Sequence, residues 1–188
     1  MENHSKYYYE LSSISTISEE LLNYCNSFES WDRPGWATFL QTPVPRNILE
    51  KDFFTKTLLE QGWGPVIFKS EPRSIYEFHL DRGNRPVAIN MLLGEPISET
   101  LYMGNLIYRN QYELITVNYK PNRYYLLNTT EKHAVFNYGT DRYVLTFQPP
   151  PKYYDPAWDP EAPHNYVLTD DARKIFSKLV DEFKQQKL

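Results

Sequence analysis

The chain has 188 residues and a net charge of −4, with 41% hydrophobic and 23% charged residues. That length suits one ordinary domain around a single core, and the composition excludes a disordered chain. Lys and Arg are scattered with no basic block, so a nucleic-acid partner gets no electrostatic support.

The polar start MENHSKYYYE lacks an apolar leader region, and the longest apolar runs, such as VAINMLLG, are too short to cross a bilayer. A lone cysteine, Cys25, rules out an intramolecular disulfide and fits a reducing compartment. The expectation is a soluble cytoplasmic protein with no membrane partner, with Cys25 a small buried apolar residue.

In chain order, the spacing predicts a first helix from Thr16, with a capping box from Thr16 to Glu19 and Leu21, Leu22, Cys25 and Phe28 on one face. The aromatic, proline-bearing WDRPGWATFLQTPVP reads as an ordered loop. A second helix is expected after Asn47, with Gly62 as its stop. After Gly64 come eight short runs rich in Val, Ile, Tyr and Phe: PVIFKS, SIYEFHLD, PVAINMLL, TLYMGNLIYR, YELITVNY, RYYLLN, HAVFNY and RYVLTF. Turn residues separate them at intervals of roughly 8 to 12, as in an all-β sandwich or barrel. The proline-rich PPPKYYDPAWDPEAP follows, and Thr169 opens a last helix striped by Ile175, Phe176, Leu179, Val180 and Phe183. The fold expected is mainly β, a jelly-roll (double-stranded β-helix, cupin-like) core of about eight strands with flanking N- and C-terminal helices. It forms one domain, 1–188, with a helical part over 1–63, the core over 64–148, and the loop and helix over 149–188.

Strict alternation in SIYEFHLD would put Ile75, Glu77, His79 and Asp81 on one face, opposite Tyr76, Phe78 and Leu80. If helices cover the apolar face, the His and Asp face is turned into the barrel, where unpaired polar groups are costly. The pattern recurs downstream: His133, Val135 and Asn137 share a face, and Arg142, Val144 and Thr146 lie opposite Tyr143, Leu145 and Phe147. Two histidines and a carboxylate from separate strands match the facial triad of non-haem iron(II), which leaves coordination positions open. An HxD pair alone is weak; a later histidine followed by an arginine makes the constellation far more specific.

The segments FHLDRGNRPVAINMLL and NTTEKHAVFNYGTDRYVL resemble the two halves of the iron(II)- and 2-oxoglutarate-dependent oxygenase family, over Tyr76 to Phe147. Arginine as the basic residue, and the phrase HAVFN, resemble the aspartyl/asparaginyl hydroxylase-like branch more than the prolyl hydroxylases. The resemblance implies His79, Asp81 and His133 as iron ligands and Arg142 as the anchor of 2-oxoglutarate. With O2, the family hydroxylates a C–H bond of a peptide side chain or small metabolite, leaving succinate and CO2. Many relatives carry a serine or threonine two residues past the basic residue. Here that position is Val144, so Tyr102 or Tyr125 is a candidate for the missing hydroxyl.

Asn90 and Asn137 are candidates to face the cavity, or equally to satisfy loop backbone. Arg82 and Arg85 suit an anionic substrate or a solvated turn. The loop from Pro149 to Pro163 and the segment Trp31 to Phe39 are candidate substrate walls. The competing reading is a noncatalytic jelly-roll module that binds a metal or ligand, with zinc in the same triad. Arg142 weighs against it, since a metal-binding module has no need of a carboxylate clasp.

Overall fold

The computed structural model describes residues 6–35, 38–81, 83–94, 101–108, 111–159 and 167–186, with backbone alone for 101–108, 111–113 and 186. Along the chain run β1 (Tyr8–Ile14), α1 (Ser18–Ser27), β2 (Leu40–Thr42), α2 (Arg46–Leu49), α3 (Phe53–Glu60), β3 (Gly64–Ser70) and β4 (Ser74–His79). They are followed by β5 (Val87–Leu93), β6 (Leu101–Tyr108), β7 (Gln111–Thr116), β8 (Arg123–Asn128), β9 (His133–Asn137), β10 (Arg142–Gln148) and α4 (Asp170–Gln186). All eight runs expected after Gly64 are strands. The part over 1–63 is not purely helical: the tyrosine-rich β1 pairs with β8, and β2 pairs with β3.

Two antiparallel sheets form a jelly roll, one in the order β1-β8-β5-β10-β3-β2 and the other β4-β9-β6-β7. Alternation decides what each face of the larger sheet holds. Ile67, Ile89, Met91, Leu126, Leu145 and Phe147 point outward and pack with Leu21 and Cys25 of α1, Phe54 and Leu58 of α3, and Phe176, Leu179 and Phe183 of α4. The alternate residues Leu92, Tyr125, Leu127 and Val144 turn inward with Tyr7, Val117 and Tyr119. Each fully buried aliphatic or aromatic side chain contributes on the order of 1.5–3 kcal/mol of transfer free energy, so this double-sided burial makes the larger sheet the rigid half.

The helix ends depart from expectation in one respect. Thr16 forms no capping box; its N–H and hydroxyl both donate to Asp52 Oδ2, at 3.0 and 3.2 Å. The other oxygen of Asp52 accepts from Thr55 N at 3.0 Å and caps α3. One buried carboxylate thus ties two helix starts together and splits the expected second helix into α2 and α3. Gly62 ends α3 with φ +86, its N–H donating to Leu59 O while Trp63 N donates to Leu58 O, a paired closure that requires a left-handed residue there.

The smaller sheet is built differently. β4 is an edge strand, paired only with β9, and its register slips: Tyr76 faces Val135, but His79 faces His133. Three steps on β4 match two on β9, so the ladder contains a bulge. Tyr76 and His79 therefore share the inner face, with ring centroids 4.1 Å apart, and the expected opposition of Tyr76 to His79 does not hold. Ile75, Phe78 and Leu80 point to solvent and are exposed. The helices cover the outer face of the larger sheet, not of the strand that carries His79.

Candidate metal centre

The bulge brings His79 level with His133, and the chain leaves β4 by a turn that delivers Asp81 between them. His79 Nε2 lies 3.4 Å and His133 Nε2 3.6 Å from Asp81 Oδ1. One donor atom from each of the three residues falls within 4.8 Å of the others, close enough to share a ligand sphere. His79 Nδ1 is 2.7 Å from Glu77 O and His133 Nδ1 3.0 Å from Glu131 O. A carbonyl can only accept, so both rings carry their proton on Nδ1 and leave the Nε2 lone pair for a metal. Burial opposes ionisation of Asp81. The Arg85 guanidinium leads the charges that outweigh it and hold the carboxyl well below the usual carboxylate range.

Thr129 fixes this turn at both ends: its carbonyl accepts from Asp81 N at 3.1 Å and its hydroxyl donates to Arg85 O. Nothing in the strand pattern marks Thr129, because the contact joins residues far apart in sequence. Its position just past the end of RYYLLN is the sole hint.

Behind the triad lies a cavity lined by Asn90, Leu127, Val144, Arg142 and Thr146 from the larger sheet and by His79, His133 and Val135 from the smaller. Arg142, the first residue of β10, is buried, and its guanidinium stands 5.8 Å from the centre of the Tyr119 ring. Burial pulls the guanidinium below its ordinary value, and a hydrogen bond and charge attraction with Tyr119 oppose that shift. The Tyr119 hydroxyl also accepts from Asn90 Nδ2 at 3.3 Å.

Of the two tyrosines expected beside Arg142, Tyr125 commits its hydroxyl elsewhere. It accepts from Lys120 N at 2.9 Å and reaches Asn118 O at 3.4 Å. The side chain of Tyr102 lies outside the described residues. The hydroxyl at Arg142 comes from Tyr119, a residue the strand pattern did not single out because it follows the end of β7. The signal is there in YELITVNY: alternation continues past the strand, and Val117 and Tyr119 are both buried.

Asn90 lines the cavity, opposite Thr146 in the ladder. Asn90 Oδ1 and Thr146 Oγ1 are buried without a hydrogen-bond partner, and such groups are costly unless a ligand satisfies them. Asn137 plays the other part open to it. Its amide donates to the carbonyls of Ser70, Glu71 and Thr140, and its oxygen accepts from Gly139 N, so it staples a turn and does not meet the cavity. Arg82 lies outside the described residues.

On the open side of the triad is a cavity of ≈ 580 Å³ bordered by Phe39, Phe68, Tyr76, Arg85, Gln148 and Trp158. Phe39 and Trp158 come from the two loops expected as walls. Trp31, from the first of these, stacks instead on Tyr143 with ring centroids 5.6 Å apart. The proline-rich loop is tied down beside the site, with Asp155 N donating to Gly83 O at 2.8 Å and the Asp155 carboxylate accepting from both N and Oγ1 of Thr169.

The donor set fits a divalent iron. Two neutral imidazoles and one carboxylate would leave it a single positive charge and open positions on the cavity side. The inner cavity offers an anionic ligand a buried guanidinium and two polar atoms without hydrogen-bond partners.

No family model matches the chain, and no curated protein matches it. Among solved structures it is similar to a prolyl-4-hydroxylase from Pseudomonas putida, at 16% identity and TM-score 0.57, over 79% of this chain and 96% of that one. It is similar also to a prolyl hydroxylase from Trichoplax adhaerens in complex with a hypoxia inducible factor oxygen degradation domain peptide, at 13% identity and TM-score 0.55, over 78% and 84%. A third is HygX from Streptomyces hygroscopicus with nickel, 2-oxoglutarate and hygromycin B bound, at 9% identity and TM-score 0.54, over 78% and 84%. At these identities the likeness establishes the fold.

Proposed function

We propose that the chain is a non-haem Fe(II)- and 2-oxoglutarate-dependent oxygenase that hydroxylates a C–H bond of a peptide side chain or small metabolite. The observation that carries this reading is the convergence of His79, Asp81 and His133, both imidazoles presenting Nε2, with Arg142 standing behind them in one cavity. Solved structures of the same fold include one holding nickel and 2-oxoglutarate and one holding a peptide, which agrees with it.

Bound at the triad with 2-oxoglutarate and O2, the iron would supply oxidative decarboxylation to succinate and CO2 coupled to hydroxylation. The protein's part is to hold and exclude. His79 and His133 keep their lone pairs aimed because the carbonyls of Glu77 and Glu131 fix the ring tautomers. Arg142 and the Tyr119 hydroxyl would clasp the distal carboxylate of 2-oxoglutarate, the guanidinium through two charge-assisted hydrogen bonds. Thr146 Oγ1, buried without a hydrogen-bond partner, would give the hydroxyl that Val144 cannot, four residues past the arginine instead of two. Leu127, Val135 and Val144 keep that end of the cavity dry, which strengthens the clasp.

The finer likeness to the aspartyl/asparaginyl hydroxylase-like branch rests on HAVFN and on arginine in place of lysine. A cytoplasmic setting fits the single buried cysteine, and among the described residues no helix is long and apolar enough to cross a membrane.

The test is to load anaerobically purified protein with Fe(II), add 2-oxoglutarate and oxygen, and quantify succinate. Succinate above the metal-free control is expected, increasing when a substrate is supplied. Metal binding with no succinate under any condition would leave the noncatalytic module in its place.

A further inference from the structure

Arg85 is a cation whose only part so far is to hold Asp81 ionised. Its Nε is buried with no hydrogen-bond partner. The nearest anionic atom, Asp81 Oδ2, is 3.4 Å away and has no hydrogen-bond partner either, so the contact is an ion pair that satisfies neither atom. The guanidinium is paired with Asp81 by charge, and its buried Nε–H is left without an acceptor. Its place is fixed from both sides. The Thr129 hydroxyl holds its carbonyl, and the guanidinium lies 5.5 Å from the centre of the Phe68 ring.

Arg85 borders the inner cavity with Arg142 and also the outer cavity of ≈ 580 Å³. The inner cavity already has a cation for its anion. Among the described residues lining the outer one, Arg85 is the sole Lys or Arg, and Asp81, the sole carboxylate, belongs to the triad. The remaining wall combines the aromatic rings of Phe39, Phe68, Tyr76 and Trp158 with the amides of Gln41, Asn84 and Gln148; Phe39 packs on Phe68 and Tyr76 at centroid distances of 4.5 and 5.3 Å. The volume lies within the roughly 300–1,000 Å³ of small-molecule sites.

We propose that the substrate of the oxygenase described above is an anionic small molecule, its carboxylate or phosphate held by Arg85 and its apolar body lying on Phe39, Phe68 and Trp158 in front of the triad. An oxyanion on this side would supply the acceptors that Asp81 does not, and a planar fork suits either headgroup. The proposal rests on the oxygenase reading for what happens to the substrate, but not for its capture.

Three probes of one shape test it: 3-phenylpropanoate, 3-phenylpropanamide and 2-phenylethyl phosphate. Each is titrated into protein loaded with Mn(II) and 2-oxoglutarate. Binding is followed by tryptophan fluorescence, to which Trp158 contributes, and by relaxation of probe protons by the metal. At least one anion should bind about tenfold or more tightly than the amide, the worth of a charged hydrogen bond. The better anion tells carboxylate from phosphate. Arg85→Met and Arg85→Gln, measured at saturating Mn(II), should each erase the preference and leave 2-oxoglutarate affinity native, while Mn(II) affinity falls by no more than about 10–100-fold because Arg85 also pairs with the ligand Asp81. Equal binding of all three probes, binding of none, or a preference that survives both substitutions overturns the proposal. So does a loss of 2-oxoglutarate affinity in both variants, which would assign Arg85 to the cosubstrate. If the native protein binds neither Mn(II) nor 2-oxoglutarate, the oxygenase reading fails on its own, and fluorescence titration of the metal-free chain still reads the anion preference.

Discussion

β10 and β4 carry the two ends of the candidate site, and they obey different rules. β10 lies between β3 and β5, paired along its length on both sides. Its alternation is strict, with Tyr143, Leu145 and Phe147 toward the helices and Arg142, Val144 and Thr146 toward the cavity. β4 has one neighbour, a bulge and an outer face in solvent. A strand held by two ladders cannot take in an extra residue without breaking both, whereas an edge strand can. The end of the site that carries Arg142 therefore sits on regular, buried sheet, and the end that carries His79 on the strand free to distort. The distortion is what levels His79 with His133.

Substitutions can set the two strands against each other. The largest effect is expected at the distorted end: Asp81→Ala should abolish tight metal binding, beyond the roughly 10–100-fold lost when a supporting hydrogen bond is removed. Calorimetry with Mn(II) decides it, and a variant that still holds the metal stoichiometrically would remove Asp81 from the ligand set. On stability the strands should reverse. Phe147→Ala, fully buried on β10, should lose about 3–5 kcal/mol in urea unfolding. Phe78→Ala, 45% exposed on β4, should stay within about 0.5 kcal/mol. Equal losses would mean that the outer face of β4 is covered.

At the regular end, Arg142→Ala should weaken 2-oxoglutarate binding by roughly tenfold or more, from the loss of charge-assisted hydrogen bonds, with Mn(II) affinity near native. Arg142→Lys should recover little, since an ammonium lacks the fork. Tyr119→Phe is milder, with a roughly two- to tenfold loss of 2-oxoglutarate affinity; no change would detach Tyr119 from the clasp. The smallest expectation is a null one on the covered side. Burial pushes the Cys25 thiol up to about 12, so maleimide at neutral pH should label it only on unfolding. Rapid labelling of the native protein would show α1 lifting off β5.

Most of the strand order was readable because β-rich runs between turns need only local information, and PVIFKS through RYVLTF all became strands. β1 was not, since YYYE carries no alternation and is a strand only because β8 offers an edge to it. The single helix expected between Asn47 and Gly62 became two because Asp52 caps α3 at Thr55 N, its other oxygen held by Thr16, 36 residues away. Within the site, the HxD spacing and the later His and Arg stood out as residue types in order. Tyr119, Thr129 and the hydrogen bonds of Asn137 did not, because each depends on a partner that the fold brings in from elsewhere.

By itself the sequence determined the succession of strands, the two-faced character of β10, and the identities of two imidazoles, a carboxylate and a guanidinium in that order, all consequences of side-chain chemistry and a period of two. Only the tertiary structure decided which face of β4 the histidine occupies, which tyrosine meets Arg142, and that Arg85 turns into the cavity. Register at an edge and the pairing of buried polar groups are set by what packs against them, and no local stretch of the chain contains that information.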